Sequence, residues 1–392
     1  MLPRNILCYR HPRALSLMPF FAMEKAKPLS VLILGASYGS LLAAKALMAG
    51  HRAQLVCRSS TAALINAEGI RVRMPVKGLA GPVEVDSRRL PGRLSARSPG
   101  EVRLSDHDLV VLAMQEPQYA DRDVKALMHG IAQAGLPCLS LMNMPPLPYL
   151  ARIPGVDAQA CRSSYTDASV WDGFAPGAIA LCSPDPQAVR PAGQPANVLE
   201  VRLPTNFKSA PFGDAGHTAM LQRLEADIEA ARYDAGGGAI ELPVKLKVHD
   251  NVFVPLAKWA MLMAGNYRCI HKDGIRPIER AVHGDLELAR GVYAWVAALC
   301  QSLGAKDDDL VPFEKYAAAA KSLANPSSVA RAVYGGASHV ERVDKLVQTI
   351  AAARGLRHPA IDETVAQIDA MLARNREAAA TAAATSAALN PA

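Results

Sequence analysis

Between residues 29 and 144, short apolar runs alternate with segments whose apolar residues recur at helical spacing. The strand candidates are SVLILG, AQLVCR, DLVVLAM and PCLSLMN, and the helices between them include SLLAAKALMAG and DRDVKALMHGIAQAG. Strands that helices cover on both faces are apolar throughout, and alternating strands and helices form β-α-β units. The pattern therefore predicts a Rossmann-like parallel sheet.

The pattern changes twice in the rest of the chain. A region rich in Pro, Gly and Asp contains a predicted strand, VLEVRLPTNF, and a predicted amphipathic helix, TAMLQRLEADIEAARYDA. The stretch NVFVPLAKWAMLMAGN is apolar nearly all round, as in a buried helix. Further helices are predicted near 279–303, 313–324, 339–354 and 360–376.

We therefore predict an α/β fold, a Rossmann-like sheet followed by a mainly helical C-terminal domain. The predicted organisation is an extension at 1–28, a dinucleotide-binding domain at 29–150, a bridging region at 151–245, a helical substrate domain at 246–375 and a disordered tail at 376–392. The extension is Arg-rich and has no acidic residue before Glu24, which is typical of a transit peptide. An upstream start, with Met23 as the true beginning, is the alternative.

Composition excludes several classes of function. The chain has 392 residues, half of them hydrophobic, and no apolar run reaches the ~18 residues of a membrane span. Most of the net charge of +7 lies in the first 28 residues, so neither nucleic acid nor membrane is an expected partner. Seven scattered cysteines without C-x-x-C, and histidines without metal spacing, favour a cytoplasmic protein with reduced thiols and no metal site.

The stretch VLILGASYGS, residues 31–40, places a glycine turn between the first strand and the first helix. Such a turn offers backbone N–H groups and the positive end of a helix dipole to a pyrophosphate. The G-x-G-x-x-G spacing is not kept, because Ser37 and Ser40 stand where the second and third glycines belong. We expect a dinucleotide loop here, with a purely structural turn as the alternative. Its residues are Gly35, Ala36, Ser37, Tyr38, Gly39 and Ser40.

The second strand ends in Arg58, at the position where NAD-binding proteins usually carry Asp or Glu. A guanidinium binds phosphate through two parallel hydrogen bonds. Arg58, followed by Ser59 and Ser60, therefore favours NADP(H) over NAD, with an ordinary surface arginine as the alternative.

The sequence from residue 31 to residue 70 resembles that of the ketopantoate reductase family. In that family a glycine loop is followed by a GSLLA-like helix, the dipeptide GH and a strand that ends in Arg. The loop is one residue shorter here, so that Gly35 and Gly39 match the first and third glycines of the family. The resemblance implies the fold of that family, whose helical domain is like the C-terminal domain of 6-phosphogluconate dehydrogenase.

Two further strands carry the resemblance. DLVVLAMQEPQ resembles the strand that ends in Lys-x-x-Gln, with Gln118 kept and Gln115 in place of the lysine. LSLMNMPP resembles the strand that ends in Asn-Gly, with Asn143 kept. The resemblance implies that Gln118 and Asn143 bind the cofactor.

The segment LAKWAMLMAGN looks like the family's helix with a catalytic lysine and two asparagines. Lys258 takes the lysine place and Asn266 the second Asn place, while Leu262 occupies the first. Lys258 also stands out without the family, because burial in an apolar helix suits a lysine to proton transfer near neutral pH. A lysine that extends its charged end into water from the helix end is the alternative.

The last matching segment begins at NPSSVARAV. Counting back from Gly355 without gaps puts His339 in the place of the family's Glu, Glu341 in the place of its Asp and Ser327 in its serine place. A two-residue shift would return Glu341 to the catalytic position but breaks the apolar match, so the gapless register is preferred. The alternative is a solvated helix start in which His339 and Glu341 are incidental.

The resemblance implies an NADPH-dependent reductase of a small 2-oxo acid or related carbonyl, and a homodimer through the helical half. Lys258 would donate the proton, Asn143 and Asn266 would hold lysine and substrate, and Ser327 would bind the substrate carboxylate. His339 or Glu341 would tune the lysine, and His339 and Leu262 argue against ketopantoate itself as substrate. Opine-type reductive amination and a nucleotide-binding relative without turnover are the alternatives.

Overall fold

The computed structural model describes residues 27–272 and 274–389, so most of the predicted extension lies outside the described residues. The strands are β1 (Ser30–Leu34), β2 (Arg52–Val56), β3 (Arg71–Met74), β4 (Val83–Asp86), β5 (Arg93–Arg97), β6 (Leu109–Leu112), β7 (Cys138–Ser140), β8 (Ile179–Ser183), β9 (Gln187–Val189), β10 (Val198–Leu203), β11 (Phe207–Ser209), β12 (Tyr233–Asp234), β13 (Ala239–Ile240), β14 (Leu246–Val248), β15 (Ile270–His271) and β16 (Gly274–Ile275). The helices are α1 (Gly39–Met48), α2 (Ser59–Glu68), α3 (Arg122–Gln133), α4 (Leu147–Leu150), α5 (Ala215–Ala230), α6 (Ala257–Met261), α7 (Ile278–His283), α8 (Leu286–Leu303), α9 (Phe313–Ala320), α10 (Ser328–Tyr334), α11 (Val343–Ala353) and α12 (Pro359–Leu389).

The main sheet has eight strands in the order β14-β11-β8-β7-β6-β1-β2-β5. Its neighbouring strands are parallel except β8 and β11, which are antiparallel. The four strands predicted from apolar runs are β1, β2, β6 and β7 at the centre of this sheet, and every residue of β1, β6 and β7 is buried. The predicted parallel α/β architecture is confirmed.

Residues 151–245 contribute strands to both large sheets. Strands β8 and β11 extend the main sheet, whereas β9 and β10 complete a second sheet in the order β4-β3-β10-β9. The predicted strand VLEVRLPTNF is divided between these sheets as β10 and β11. The predicted amphipathic helix is α5, which buries Leu221, Leu224 and Ile228.

The helical half begins after β14. Helix α6 continues as a π-helical turn at Leu262–Asn266, and most of both segments is buried. The helix predicted near 339–354 starts only at Val343, so residues 339–342 form an irregular segment before α11. None of the described helices is long and apolar enough to cross a bilayer.

The C-terminal tail, predicted to be disordered from residue 376, is helical up to Leu389 in the structure. Helix α12 runs to Leu389, so residues 376–389 are helical, although 377–385 are exposed. Alanine has the highest helix propensity of all residues. An alanine-rich end therefore continues a helix even where it has little apolar surface to bury.

The carboxyl ends of the parallel strands meet at one edge of the main sheet. Strand β1 lies between β2 and β6, so the connections on its two sides leave in opposite directions. Ligands of open α/β sheets bind at such a switch point, beyond the carboxyl ends of the strands. The residues within four positions of the strand ends at this edge include Gly35, Arg58, Glu116, Asn143 and Asp185.

Candidate functional site

The glycine turn, which contains Gly35 and Gly39, packs closely against the ends of β1 and β6. Gly35 has φ 109°, and its N–H donates to the Val56 carbonyl at 3.0 Å. A Cβ added at Gly35 would lie 2.7 Å from the Ala113 carbonyl oxygen, and one added at Gly39 would lie 2.6 Å from Ile33 Cγ2. Both glycines are therefore required for α1 to approach β1 and β6.

Residues 36–38 of the turn leave backbone donors available. The N–H groups of Ala36, Ser37 and Tyr38 donate no hydrogen bond to another residue in the described part of the chain. Ser37 is exposed, and the Tyr38 hydroxyl donates to the Pro186 carbonyl at 2.8 Å. Since α1 starts at Gly39, these donors lie at the positive end of its dipole, an arrangement suited to an anion.

Two arginines lie close together beyond the end of β2. Arg58 is exposed directly before α2, and Arg190 follows β9 of the second sheet. Burial lowers the pKa of Arg190, and the neighbouring Arg58 charge lowers it further. Neither side chain forms an ion pair or hydrogen bond with another residue of 27–272 and 274–389. Sequence reasoning missed Arg190, because nothing in its spacing links it to β2.

A pair of buried carboxyl groups lies beyond β6 and β7. The Asn143 amide donates to Glu341 Oε2 at 3.3 Å, and the Glu116 N–H donates to Glu341 Oε1 at 3.4 Å. The Glu116 carboxylate in turn accepts from the N–H and the hydroxyl of Thr166, at 2.9 and 2.8 Å. Glu341 therefore joins the segment before α11 to the edge of the main sheet.

The carboxyl pair is held in an environment that disfavours charge. Burial raises the pKa of Glu341 to about 7, although hydrogen bonds from Asn143 and Glu116 act in the opposite direction. Burial likewise raises the pKa of Glu116 to about 7, against the hydrogen bonds from Thr166. The Tyr267 hydroxyl donates to the Glu341 carbonyl at 2.5 Å and accepts from the Val343 N–H at 2.9 Å, which fixes this segment.

Lys258 contacts the loop that follows β8 at the edge of the main sheet. Its ammonium donates to Asp185 Oδ1 at 3.0 Å and to the Pro184 carbonyl at 3.4 Å. Asp185 also accepts from the Ser183 hydroxyl at 2.5 Å and lies 3.5 Å from the Lys208 ammonium. Burial raises the pKa of Asp185, but Lys258, Ser183 and Lys208 together lower it below the usual value.

Comparison with known proteins identifies the fold. No protein-family model matches the sequence, and no curated protein was found that resembles it. Solved structures do match. A probable 2-dehydropantoate 2-reductase from Bacillus subtilis is 16% identical, with a TM-score of 0.58 over 88% of this chain and 100% of its own. The chain has the ketopantoate reductase fold.

Two more structures extend the comparison. The 2-dehydropantoate 2-reductase from Methylococcus capsulatus is 15% identical, with a TM-score of 0.62 over 88% of this chain and 98% of its own. A D-mandelate dehydrogenase with NADH and anilino(oxo)acetate is 14% identical, with a TM-score of 0.58 over 89% of this chain and 100% of its own. The predicted fold is confirmed, and at these identities the likeness concerns the fold alone.

Within the ketopantoate reductase fold, the remaining predicted residues have different surroundings. The Ser327 hydroxyl donates to the Asn266 carbonyl at 2.6 Å and accepts from the Ala330 N–H at 3.2 Å, so it caps α10 and holds the end of the π turn. Leu262 is buried in the apolar core. Among the predicted site residues, Asn143 is therefore hydrogen-bonded to Glu341, and Ser327 is hydrogen-bonded to Asn266.

His339 and Gln118 lie outside these contacts. His339 is exposed and has no hydrogen bond to another described residue, whereas Glu341, two residues later, is buried. Gln118 is exposed, and its side-chain oxygen accepts from the Gln115 N–H at 3.0 Å. In this geometry Glu341, and not His339, faces the sheet edge.

Proposed function

We propose that the protein is an NADPH-dependent reductase of a small 2-oxo acid or a related carbonyl compound. The observation that carries the proposal is the contact of Glu341, from the helical half, with Asn143 and Glu116 at the carboxyl edge of the sheet. This contact supports the proposal because it lies at the edge where sheets of this kind bind ligands. Structures with this fold include proteins named for a 2-oxo acid, 2-dehydropantoate, and for a 2-hydroxy acid, mandelate.

The chain has groups that fit the proposed cofactor. The free N–H groups of residues 36–38 would bind the pyrophosphate. Arg58 and Arg190, which have no carboxylate partner among the described residues, would bind the 2′-phosphate, and this favours NADPH over NADH. When bound, NADPH supplies a hydride to the carbonyl carbon of the substrate.

Proton transfer and substrate orientation are assigned to side chains at the same edge. Lys258 donates a proton to the substrate oxygen, and Asn143 and Glu341 bind the substrate through their amide and carboxyl groups. Of the two candidates for the acidic residue of the site, His339 and Glu341, we choose Glu341. Only Glu341 is buried beside Asn143. Ser327 acts indirectly, since its hydroxyl already binds Asn266 and Ala330.

Titration with NADPH, followed by nucleotide fluorescence, tests the cofactor, and NADPH oxidation with a series of 2-oxo acids tests the reaction. Lys258→Ala should lower kcat by about 10²- to 10⁴-fold, the usual contribution of a general acid, with the Kd for NADPH nearly unchanged. Lys247→Ala is the matched control, because Lys247 also pairs with a carboxylate, Glu229, at 2.8 Å.

Each outcome of this experiment has a defined meaning. An unchanged fluorescence signal at millimolar NADPH contradicts the cofactor assignment. NADPH binding without oxidation of any substrate indicates a nucleotide-binding relative without turnover, and oxidation only in the presence of amines indicates reductive amination. A fully active Lys258→Ala variant shows that this lysine is structural.

A further inference from the structure

The loop after β8 has the sequence Ser183-Pro184-Asp185-Pro186 and holds Asp185 between two prolines. Each proline fixes its own φ, and each also restricts the residue before it. Ser183 and Asp185 both precede a proline, so the backbone that carries the Asp185 carboxylate has little freedom. The Ser183 hydroxyl and the Lys208 ammonium further restrict the carboxylate itself.

Lys258 is bound to this rigid loop at two points, Asp185 Oδ1 and the Pro184 carbonyl. The side chains of Lys258 and Asp185 are only 19% and 16% exposed. An ammonium that is largely shielded from water is costly when its counter-charge is removed, because the remaining charge is left uncompensated. Asp185 therefore compensates the charge of Lys258 and fixes the position of its ammonium.

The same loop also contacts the glycine turn. The Tyr38 hydroxyl donates to the Pro186 carbonyl at 2.8 Å, one residue after Asp185. The ring of Tyr38 packs edge-on against Phe207 of β11, with the centroids 5.9 Å apart. Residues 184–186 thus lie between the start of α1 on one side and the ammonium of Lys258 on the other.

We propose that Asp185 is the positioning residue of Lys258, and that the Tyr38 hydroxyl joins this residue's loop to the nucleotide-binding turn. The proposal rests on the function proposed above, since it concerns the lysine that acts there as proton donor. The loop belongs to the region between the segments that resemble ketopantoate reductases. The ionisable groups that face this pair are Lys208, Tyr38 and Cys182.

The first test does not depend on turnover. Trace acetylation with acetic anhydride, measured by mass spectrometry across a pH series, reports the protonation of individual lysines. In Asp185→Asn, the midpoint for Lys258 should fall by about one pH unit or more, since the carboxylate no longer favours the ammonium. Asp185→Glu should lie closer to the wild type, and Lys247 in the same samples should keep its midpoint.

The second test uses turnover. Asp185→Asn should lower kcat by about 10-fold or more, leave the Kd for NADPH within about threefold, and move the alkaline fall of kcat to lower pH. Tyr38→Phe should lower kcat in the same direction but less, because it removes one hydrogen bond of the loop. Glu229→Gln, which removes a carboxylate–lysine pair that includes neither Asp185 nor Lys258, is the control.

An unchanged Lys258 midpoint in Asp185→Asn overturns the proposal, whether or not the protein is active. If the midpoint falls but the wild type oxidises no NADPH, Asp185 controls the lysine and the proposed reaction is wrong. If the midpoint falls and kcat stays at the wild-type level, the pair is structural and the proposal fails.

Discussion

At the scale of single residues, Glu116 and Glu341 are neighbouring carboxyl-bearing residues, joined by the hydrogen bond from the Glu116 N–H to the Glu341 carboxylate. Both are buried, and the pKa of each is raised to about 7, chiefly by loss of hydration. At pH 7 each of these carboxyl groups is therefore protonated in about half of the molecules, whereas exposed glutamates have lost their protons. A carboxyl group that still carries its proton can donate a hydrogen bond to a substrate oxygen, as well as accept one from a hydroxyl.

The raised pKa of Glu341 predicts how stability depends on pH. The folded state keeps the proton up to pH of about 7, whereas an unfolded glutamate loses it near pH 4.3. The stabilisation is therefore fully present below pH of about 4.3 and is lost as the pH rises through 7. Glu341→Gln keeps a neutral side chain at every pH. Its free energy of unfolding should consequently fall less than that of the wild type between pH 5 and pH 8, by on the order of 2 kcal/mol.

Urea denaturation at several pH values measures this difference. Glu229→Gln serves as the control, because the Lys247 ammonium lowers the pKa of Glu229, the opposite direction. Parallel stability curves for the wild type and Glu341→Gln would show that the Glu341 carboxyl is not kept protonated by the fold.

At the scale of secondary-structure elements, the contact of α1 with β1 depends on the glycine turn. A Cβ at position 39 would lie 2.6 Å from Ile33 Cγ2 and 3.2 Å from Ala113 Cβ. Gly39→Ala should therefore push α1 away from the sheet and lower stability by about 1–3 kcal/mol, the usual cost of overpacking. NADPH affinity should fall as well, because the N–H groups of the turn move with the helix.

Gly291→Ala is the matched control for this change. Gly291 lies within α8, and an added Cβ there would meet no atom within 4 Å. Alanine is the better helix former by about 0.5–1 kcal/mol, so this variant should be slightly more stable than the wild type. Thermal unfolding of both variants decides the matter, and equal stability of Gly39→Ala and the wild type would contradict the packing argument.

The elements also explain which parts of the molecule the sequence could predict. Strands β1, β2, β6 and β7 were predicted because short, nearly continuous apolar runs identify buried parallel strands. Strands β9, β11 and β14 have three residues each, and β11 pairs with β8 and β14, which are well separated from it along the chain. Gly35, Arg58 and Asn143 follow predicted strands, so their meeting at one edge was predictable. Asp185 and Arg190 were not, because the places of β8 and β9 depend on tertiary pairing.

At the scale of the whole molecule, two different sheets each place an arginine on the same surface. Arg58 follows β2 of the main sheet, and Arg190 follows β9 of the second sheet. Arg58→Ala and Arg190→Ala should each reduce the preference for NADPH over NADH by about 10-fold, since charge-assisted hydrogen bonds contribute about 1.5–3 kcal/mol. The double variant should lose less than the product of the single effects if both arginines bind one phosphate.

Fluorescence titrations with NADPH and with NADH give the ratio of the two dissociation constants for the wild type, the two single variants and the double variant. Arg202→Ala is the control, because Arg202 is an exposed arginine of β10 that lies 3.5 Å from Glu200. An unchanged ratio in Arg190→Ala would remove the second sheet from cofactor selection, and strictly multiplicative losses would indicate two separate contacts.

The order of the strands in the main sheet also determines when this protein can fold. The sheet is complete only after β14 pairs with β11, and β11 itself reaches β7 through β8. Until β11 has been synthesised, β8 has an unpaired edge, which can bind other unfolded chains. Non-local pairing of this kind slows folding. Because Lys258 lies in α6, soon after β14, well over half of the chain must leave the ribosome before the ion pair with Asp185 can form.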